Sequence, residues 1–492
     1  MRTATPLPLA ELLAAAPAGR DVPAGELEAA VAASRRVVVL DDDPTGTQSI
    51  RDLPVLTTWS PEDVAWAFAQ DTPGFFVLTN SRSLAPDDAA RVNREIARVV
   101  HATAAATGTD VVLASRGDST LRGHFPLETD VLSEEVTAAT RGVAGIDGVL
   151  VVPALIEPGR VTVDSVHWMR TDAGMIPVGD SEFARDRTFG YRHSDLRDWI
   201  AEKTEGRVPR EAVATVTLTD LRTGGPEEVA RVLGALRTGR PVVADAVTDA
   251  DLRVLAQGVL LAESRGRRFV YRTGPSFLRA RLGQRANPPA DAGDLRAASP
   301  EADDARRVAY RGLVVVGSHV DLTTRQLDAL RAHGGSTEVE LDVAQLLDAD
   351  SRAAHIDEAA GRVAGLLRAA GPADAVVLRT SRALVAGRDA AHSLDIARTV
   401  SAALVTTVKS VLTEVRPAYV LAKGGITSSD TATHGLGIRR AWSRGTLLPG
   451  TVSVWEPVDG PAAGIPYAVF AGNVGDDDGL RAAVTRLKEA AC

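Results

Sequence analysis

Short runs of β-branched residues alternate with longer amphipathic segments from Arg36 almost to the end of the chain, and this alternation constrains the fold more than any other feature. It is the sequence form of repeated βαβ units, which build a mainly parallel sheet because parallel neighbours must be joined by a crossover, usually a helix. Val37–Leu40, Phe75–Thr79, Val111–Ala114, Gly148–Val152, Val242–Asp245 and Phe269–Arg272 read as strands of a first domain. Helix starts are written between them: Ser60 can cap, Pro61 suits the first helical position, and Glu62 and Asp63 complement the dipole, a signal that Pro86, Asp87 and Asp88 repeat.

Between about Arg285 and Arg306 the pattern dissolves into a stretch rich in Pro, Ala and Asp without apolar periodicity, which marks a linker. The alternation then resumes with strands at Leu313–Val316, Ala375–Leu378, Tyr419–Leu421 and Tyr467–Phe470, and a long helix precedes the third of these, with Ala397, Val400, Ser401, Leu404, Val408 and Val411 on one face. A chain of 492 residues exceeds what one hydrophobic core serves. The expected organisation is an α/β fold of two domains, residues 36–284 and 311–492, joined by a linker over 285–310.

A composition of 45% hydrophobic and 24% charged residues belongs to an ordinary globular enzyme. A net charge of -9 lacks the basic footprint that nucleic acid or an anionic membrane demands, so neither is expected as a partner. The single cysteine, Cys492, excludes an intrachain disulfide, a cysteine zinc site and a buried thiol nucleophile, and fits a reducing, cytoplasmic setting. Glu11 breaks the apolar run near the start, which favours a lead-in helix over a signal peptide.

The chemistry gathers at strand ends. Val37–Leu40 runs into Asp41, Asp42, Asp43, Pro44, Thr45, Gly46 and Thr47, and carboxylates at the carboxyl end of a parallel strand point into the crevice where such sheets bind ligands. Two further strand ends supply Arg82, after Thr79 and Asn80, and the run S-R-G-D-S-T-L-R-G-H with Arg116, Asp118 and Arg122. Guanidinium forks beside Asp, Ser and Thr form the inventory for a hydroxylated carboxylic acid. His124 reads as a structural loop histidine. The stretch from Glu157 to Trp168, with the Arg- and aromatic-rich segment after it, reads equally as a flap or as a surface excursion with a β-hairpin.

In the second domain three glycine-bearing loops follow strands, around Gly317 and Ser318, around Gly424 and Gly425, and at A-G-N-V-G. Glycine lets a backbone approach phosphates, and turn N–H groups bind anions without side-chain charge. Neither a Walker motif nor a dinucleotide fingerprint is present, so nucleotide binding rests on loop chemistry.

These motifs together, D-D-x-x-T-G, D-S-T-L-R-G, G-S, G-G-x-T-S and G-N-x-G, resemble the four-carbon acid sugar kinase family, which includes D-threonate, D-erythronate and 3-oxo-tetronate kinases. The resemblance runs from about Arg36 to Leu480. It implies a sugar-acid-binding N-terminal domain and an ATP-binding C-terminal domain with both ligands in the crevice between them, use of ATP with Mg2+, and phosphorylation of the C4 primary hydroxyl. Motif by motif it implies substrate contacts from Asp42, Arg82, Arg116, Gly117, Asp118 and Ser119. It further implies ATP contacts from Ser318, Gly424 or Gly425, Gly472, Asn473, Val474 and Gly475. Metal ligands stay unassigned and a homodimer stays open.

Of the two candidate catalytic acids, Asp42 is expected to be the base, its pKa raised by the neighbouring acids, and Asp118 to position substrate hydroxyls. This chain departs from the family with Pro44 and Thr47 around the Thr-Gly pair, Arg116 where Lys is commoner, Ile426 where Glu is usual, and Phe470 where a Lys often stands. Lys423 is the expected replacement for that lost cation. Two alternatives remain: a haloacid-dehalogenase-like phosphatase, since Asp41, Asp43 and Thr45 are spaced as its first motif, and a non-catalytic sugar-acid sensor.

Overall fold

The computed structural model describes residues 5–142, 145–286, 288–291, 295, 311–369, 375–382, 385, 388 and 390–491. The linker expected over 285–310 lies largely outside the described residues. The chain divides into two compact units, residues 1–50 with 59–287, and residues 51–58 with 288–492.

The first unit is built on β1 (Arg36–Asp41), with β2 (Leu53–Leu56) leaving for the other unit, then β3 (Gly74–Leu78), β4 (Val111–Arg116) and β5 (Gly148–Val152). An antiparallel meander follows, of β6 (Arg160–Val163), β7 (Val166–Thr171) and β8 (Gly174–Pro177), and β9 (Ala214–Val216), β10 (Arg240–Ala244) and β11 (Phe269–Thr273) complete the unit. The main sheet has the order β3-β1-β4-β11-β5-β10-β9, parallel throughout. Val37, Val38 and Val39 are fully buried, as a central strand covered on both faces requires. Asp41 pairs in register with both Leu78 and Arg116, and Arg116 with Thr273, so the carboxyl ends of β3, β1, β4 and β11 finish level with one another. The helix Pro86–Thr107 buries Val92, Ile96 and Val100 at helical spacing, and Ser60 Oγ accepts the Asp63 N–H to cap Pro61–Ala69.

The meander resolves the open stretch after Glu157 into ordered structure. Its β6–β7 turn holds Asp164 and Ser165 at φ 51° and 68°. A two-residue turn with both φ values positive matches strand twist, but these residues lack glycine's freedom. The buried Asp245, just past β10, offsets that cost by accepting the Asp164 and Ser165 N–H groups at 3.0 and 2.8 Å.

The second unit contains β12 (Leu313–Val316), β13 (Ser336–Leu341), β14 (Ala375–Thr380), β15 (Val420–Lys423), β16 (Arg440–Leu448), β17 (Thr451–Pro457) and β18 (Tyr467–Phe470). Its order is β13-β14-β12-β15-β18-β17-β16-β2, parallel as far as β18 and antiparallel beyond. The strand β2 therefore belongs to this sheet: Leu56 pairs with Arg440 and Leu53 with Ser443. The long helix before β15 spans Ala390–Glu414, with Leu404, Val408 and Val411 buried. Val316, Lys423 and Phe470 share a register, which brings the three glycine loops out at one edge. No helix among the described residues is long and apolar enough to cross a membrane.

Candidate functional site

The acid triplet at the end of β1 is held by Arg116 from the adjacent β4. The Arg116 guanidinium pairs with the Asp41 carboxylate and donates to the Asp43 carbonyl, while Nη1 lies 3.2 Å from Asp42 Oδ1. All three groups of this side chain are thus committed inside the protein, and it is 3% exposed. Gly46 explains its own place in the motif: a Cβ there would overlap both the Asp41 carboxylate and Arg116 Nε. Asp41 is covered and paired with Arg116, which leaves its carboxylate no open face from which to attack a phosphoryl group.

Asp42 differs from its neighbours. It is 2% exposed, yet neither carboxylate oxygen has a hydrogen-bond partner. Its attractions are ionic, to Arg116, to Arg82 Nε at 3.9 Å and to Arg272. Burial pushes its pKa up, Arg82 and Arg116 oppose, and Glu128 repels. The direction agrees with the expectation while the cause does not: desolvation dominates, and the repelling charge is Glu128 rather than the adjacent acids.

Arg82 reaches the cluster from the loop after β3, ion-paired through Nη2 to Asp43, with Nη1 3.7 Å from Asp118 Oδ1. Asp118 accepts from Thr120 Oγ1 and from Arg122 Nε at 2.7 Å. Burial alone would raise Asp118, but Arg82, Arg122 and these hydrogen bonds outweigh it and hold the carboxyl far below its ordinary value. Gly117 permits close packing, since a Cβ there would overlap the Arg272 guanidinium. Ser119 is buried and its carbonyl faces His167 Nε2 at 2.8 Å. Outside this cluster, His124 Nε2 lies 3.1 Å from the Leu84 carbonyl and its ring packs edge-on against Phe189, a structural role.

Four participants escaped sequence reasoning. Arg272, at the end of β11, donates to Ser115 Oγ at 2.7 Å and pairs with Glu128, whose other oxygen accepts from Ser81 Oγ at 2.6 Å. His167 and Tyr191 come from the excursion after β5, the tyrosine hydroxyl donating to the Thr120 carbonyl at 2.6 Å. The signal for Arg272 was available, because its strand end lies among those carrying Arg82 and Arg116. Glu128 lies in the first turn of a helix and His167 near the start of a strand, positions that carry no sequence mark.

In the second unit, Ser318, Gly424 and Gly472 converge: a Cβ on Gly472 would sit 2.6 Å from Ser318 Oγ, and one on Gly424 3.3 Å from Ser318 Cβ. Gly424 and Gly475 have φ of 124° and 85°, conformations that suit glycine. Gly425 begins the helix Gly425–Asp430. Thr323 Oγ1 donates to the Gly472 carbonyl at 2.9 Å, and Gln326 Nε2 to those of Val474 and Asp476 at 3.1 and 2.6 Å, which pins the turn containing Asn473. Lys423 is fully buried beneath this turn, its Nζ 2.6 Å from the Ala471 carbonyl and 3.5 Å above the Phe470 ring. Burial lowers its pKa to about 7. Its expected part as a replacement cation on the phosphate side is corrected by this placement: it supports the loop from below. Among the described residues no group of three His, Cys, Asp or Glu gathers to hold a resident metal.

Residues 37–281 match a sugar-binding N-terminal domain and residues 313–480 a nucleotide-binding C-terminal domain. A D-threonate kinase of Bordetella bronchiseptica is 29% identical over 422 residues, 84% of this chain and 86% of that protein. A D-erythronate kinase of Heliobacterium modesticaldum is 28% identical over 291 residues, and this match spans 58% of this chain and only 57% of that protein's length. A solved chain from Salmonella typhimurium LT2, described as a putative tRNA synthase, shares the fold with a TM-score of 0.64 at 17% identity, covering 91% of this chain and 98% of its own.

Proposed function

The chain belongs to the four-carbon acid sugar kinase family, and from that premise we propose that it transfers the terminal phosphoryl group of ATP to a hydroxyl of a four-carbon sugar acid, the C4 primary hydroxyl of a threonate, erythronate or 3-oxo-tetronate. The observation that carries the reading is Asp42: a buried carboxylate without a hydrogen bond, between two arginines, at the ligand-binding end of a parallel sheet. Such a group finds its missing partner in a substrate hydroxyl.

Arg82 grips the substrate carboxylate, while Arg116, committed to Asp41 and Asp43, keeps the acid loop in shape. Asp118, held ionised, accepts hydrogen bonds from substrate hydroxyls, and Ser119 and Gly117 shape the loop around it. Asp42 takes the proton of the attacking hydroxyl as that oxygen bonds phosphorus and the bond from phosphorus to ADP breaks. The N–H groups of the Gly424–Gly425 and Gly472–Gly475 loops and the Ser318 hydroxyl cradle the nucleotide phosphates. Magnesium comes with the nucleotide, whose phosphate oxygens and waters supply most of its ligands.

The family match and the burial and pairing of Asp41 weigh against the phosphatase alternative. A panel of C4 aldonates with ATP, read by coupled ADP release, tests the proposal. Turnover on at least one of them is the expected result. Tight sugar-acid binding without turnover would favour the sensor instead.

A further inference from the structure

A nucleotide triphosphate brings several negative charges that backbone N–H groups solvate without neutralising, so a cation is needed where the glycine loops of the second unit meet. The described cations near the carboxyl ends of its parallel strands can be taken in turn. Lys423 is buried under the turn on carbonyl oxygens. Arg379 pairs with Glu338 and Glu340 at 2.6 and 2.7 Å, and Arg325 with Asp477 at 2.8 Å. Arg382, two residues past the end of β14 and therefore beside β12 and Ser318, is different. Its Nη1 donates to the Ser318 carbonyl and its Nη2 to Thr324 Oγ1 at 2.7 Å, both neutral acceptors. Its Nε is buried with no partner, and among the described residues no carboxylate pairs with it. The adjacent His319 also keeps a buried Nδ1 without a partner.

We infer that Arg382 is the phosphate-facing cation of the nucleotide site, its guanidinium fixed against Ser318 and presenting its remaining N–H groups to the terminal phosphates. The inference rests on the reading of this unit as the nucleotide site. An arginine that merely stayed wet would not be part-buried and tied at both terminal nitrogens. A guanidinium spent only on neutral acceptors keeps its whole charge for a ligand, and a planar fork suits phosphate oxygens. Burial and Arg379 disfavour the charge of Arg382 in the free protein, with only Asp328 opposing, so an arriving anion relieves an existing imbalance.

Calorimetric titration of the full chain with MgATP and, separately, with adenosine tests this. Arg382→Gln is expected to weaken MgATP by about tenfold or more and to leave adenosine within about twofold, because a charge-assisted phosphate contact is lost and nothing at the base or ribose changes. The gap between the unaltered chain and the variant should narrow as salt is raised, and Arg382→Lys should recover part of it. Unchanged MgATP affinity in Arg382→Gln overturns the inference alone. Equal weakening of MgATP and adenosine also overturns it, by reducing Arg382 to a loop support. If circular dichroism shows that Arg382→Gln does not fold, the same ratio measured on Arg382→Lys decides. Failure of the unaltered chain to bind either probe overturns the nucleotide reading itself.

Discussion

Replacing Asp42 by Asn separates catalysis from stability at one atom. The carboxylate lies 3.2 Å from one guanidinium and 3.9 Å from another, attractions of about 5 and about 4 kcal/mol at an effective dielectric near 20. Desolvation nevertheless raises its pKa above the ordinary value of 3.8, so relative to the unfolded chain the fold favours the protonated form. The corresponding stability is fully present below the unfolded pKa and is lost as the pH rises through the raised folded value. Asparagine keeps the neutral shape at every pH and escapes that loss. Asp42→Asn should therefore melt at or above the temperature of the unaltered chain at pH 8, about four units beyond the unfolded pKa. Activity should move the other way: kcat falls by about 10² to 10⁴, or about 3 to 5 kcal/mol of transition-state stabilisation, with a smaller change in sugar-acid KM. Coupled ADP release between about pH 5 and 9 should also lose its acidic limb in the variant. Retention of most of kcat by Asp42→Asn, with Asp118→Asn inactive at near-normal binding, would exchange the two roles and refute the reasoning.

Arg82→Ala should raise sugar-acid KM by about ten- to a hundredfold, the worth of a charge-assisted contact, and leave the ATP KM nearly unchanged; a rise in both constants would contradict the carboxylate assignment. Gly46→Ala inserts a methyl group into the Asp41–Arg116 pair and should cost about 1 to 3 kcal/mol in urea unfolding, whereas a neutral effect would mean that the pair yields easily. His167 is buried, and desolvation lowers its pKa from 6.5 to about 4. Its contribution to stability is present above the unfolded pKa and declines as the pH falls toward the folded one, at about 1.4 kcal/mol per pH unit. Unfolding titrations of unaltered chain and His167→Gln should diverge over that window and run parallel above it.

The fold class was legible because it depends on local periodicity. Val37–Leu40 could be read as a buried strand from its β-branched run alone, and the Asp42, Arg82 and Arg116 loops followed because strand ends in a parallel sheet necessarily share one edge. The glycine loops of the second unit were legible for the same reason. Other features were not. The four residues of β2 look like any short apolar run, and their pairing with Arg440–Ser443 is a contact across nearly the whole chain that no local pattern encodes. The register of the meander after β5 and the Asp245 clamp on its turn are set by pairing that no local pattern encodes.

At the site, the sequence by itself determined which chemical groups are present: acids, arginines and glycines at strand ends. Tertiary structure decided how those groups are spent, because hydrogen-bond saturation and burial are properties of the packed neighbourhood rather than of residue type. Packing commits Arg116 to Asp41, to the Asp43 carbonyl and to an ion pair with Asp42, and leaves Asp42 without a hydrogen bond. It also buries Lys423 under the turn and leaves Arg382 charged beside Ser318 without a counter-ion among the described residues.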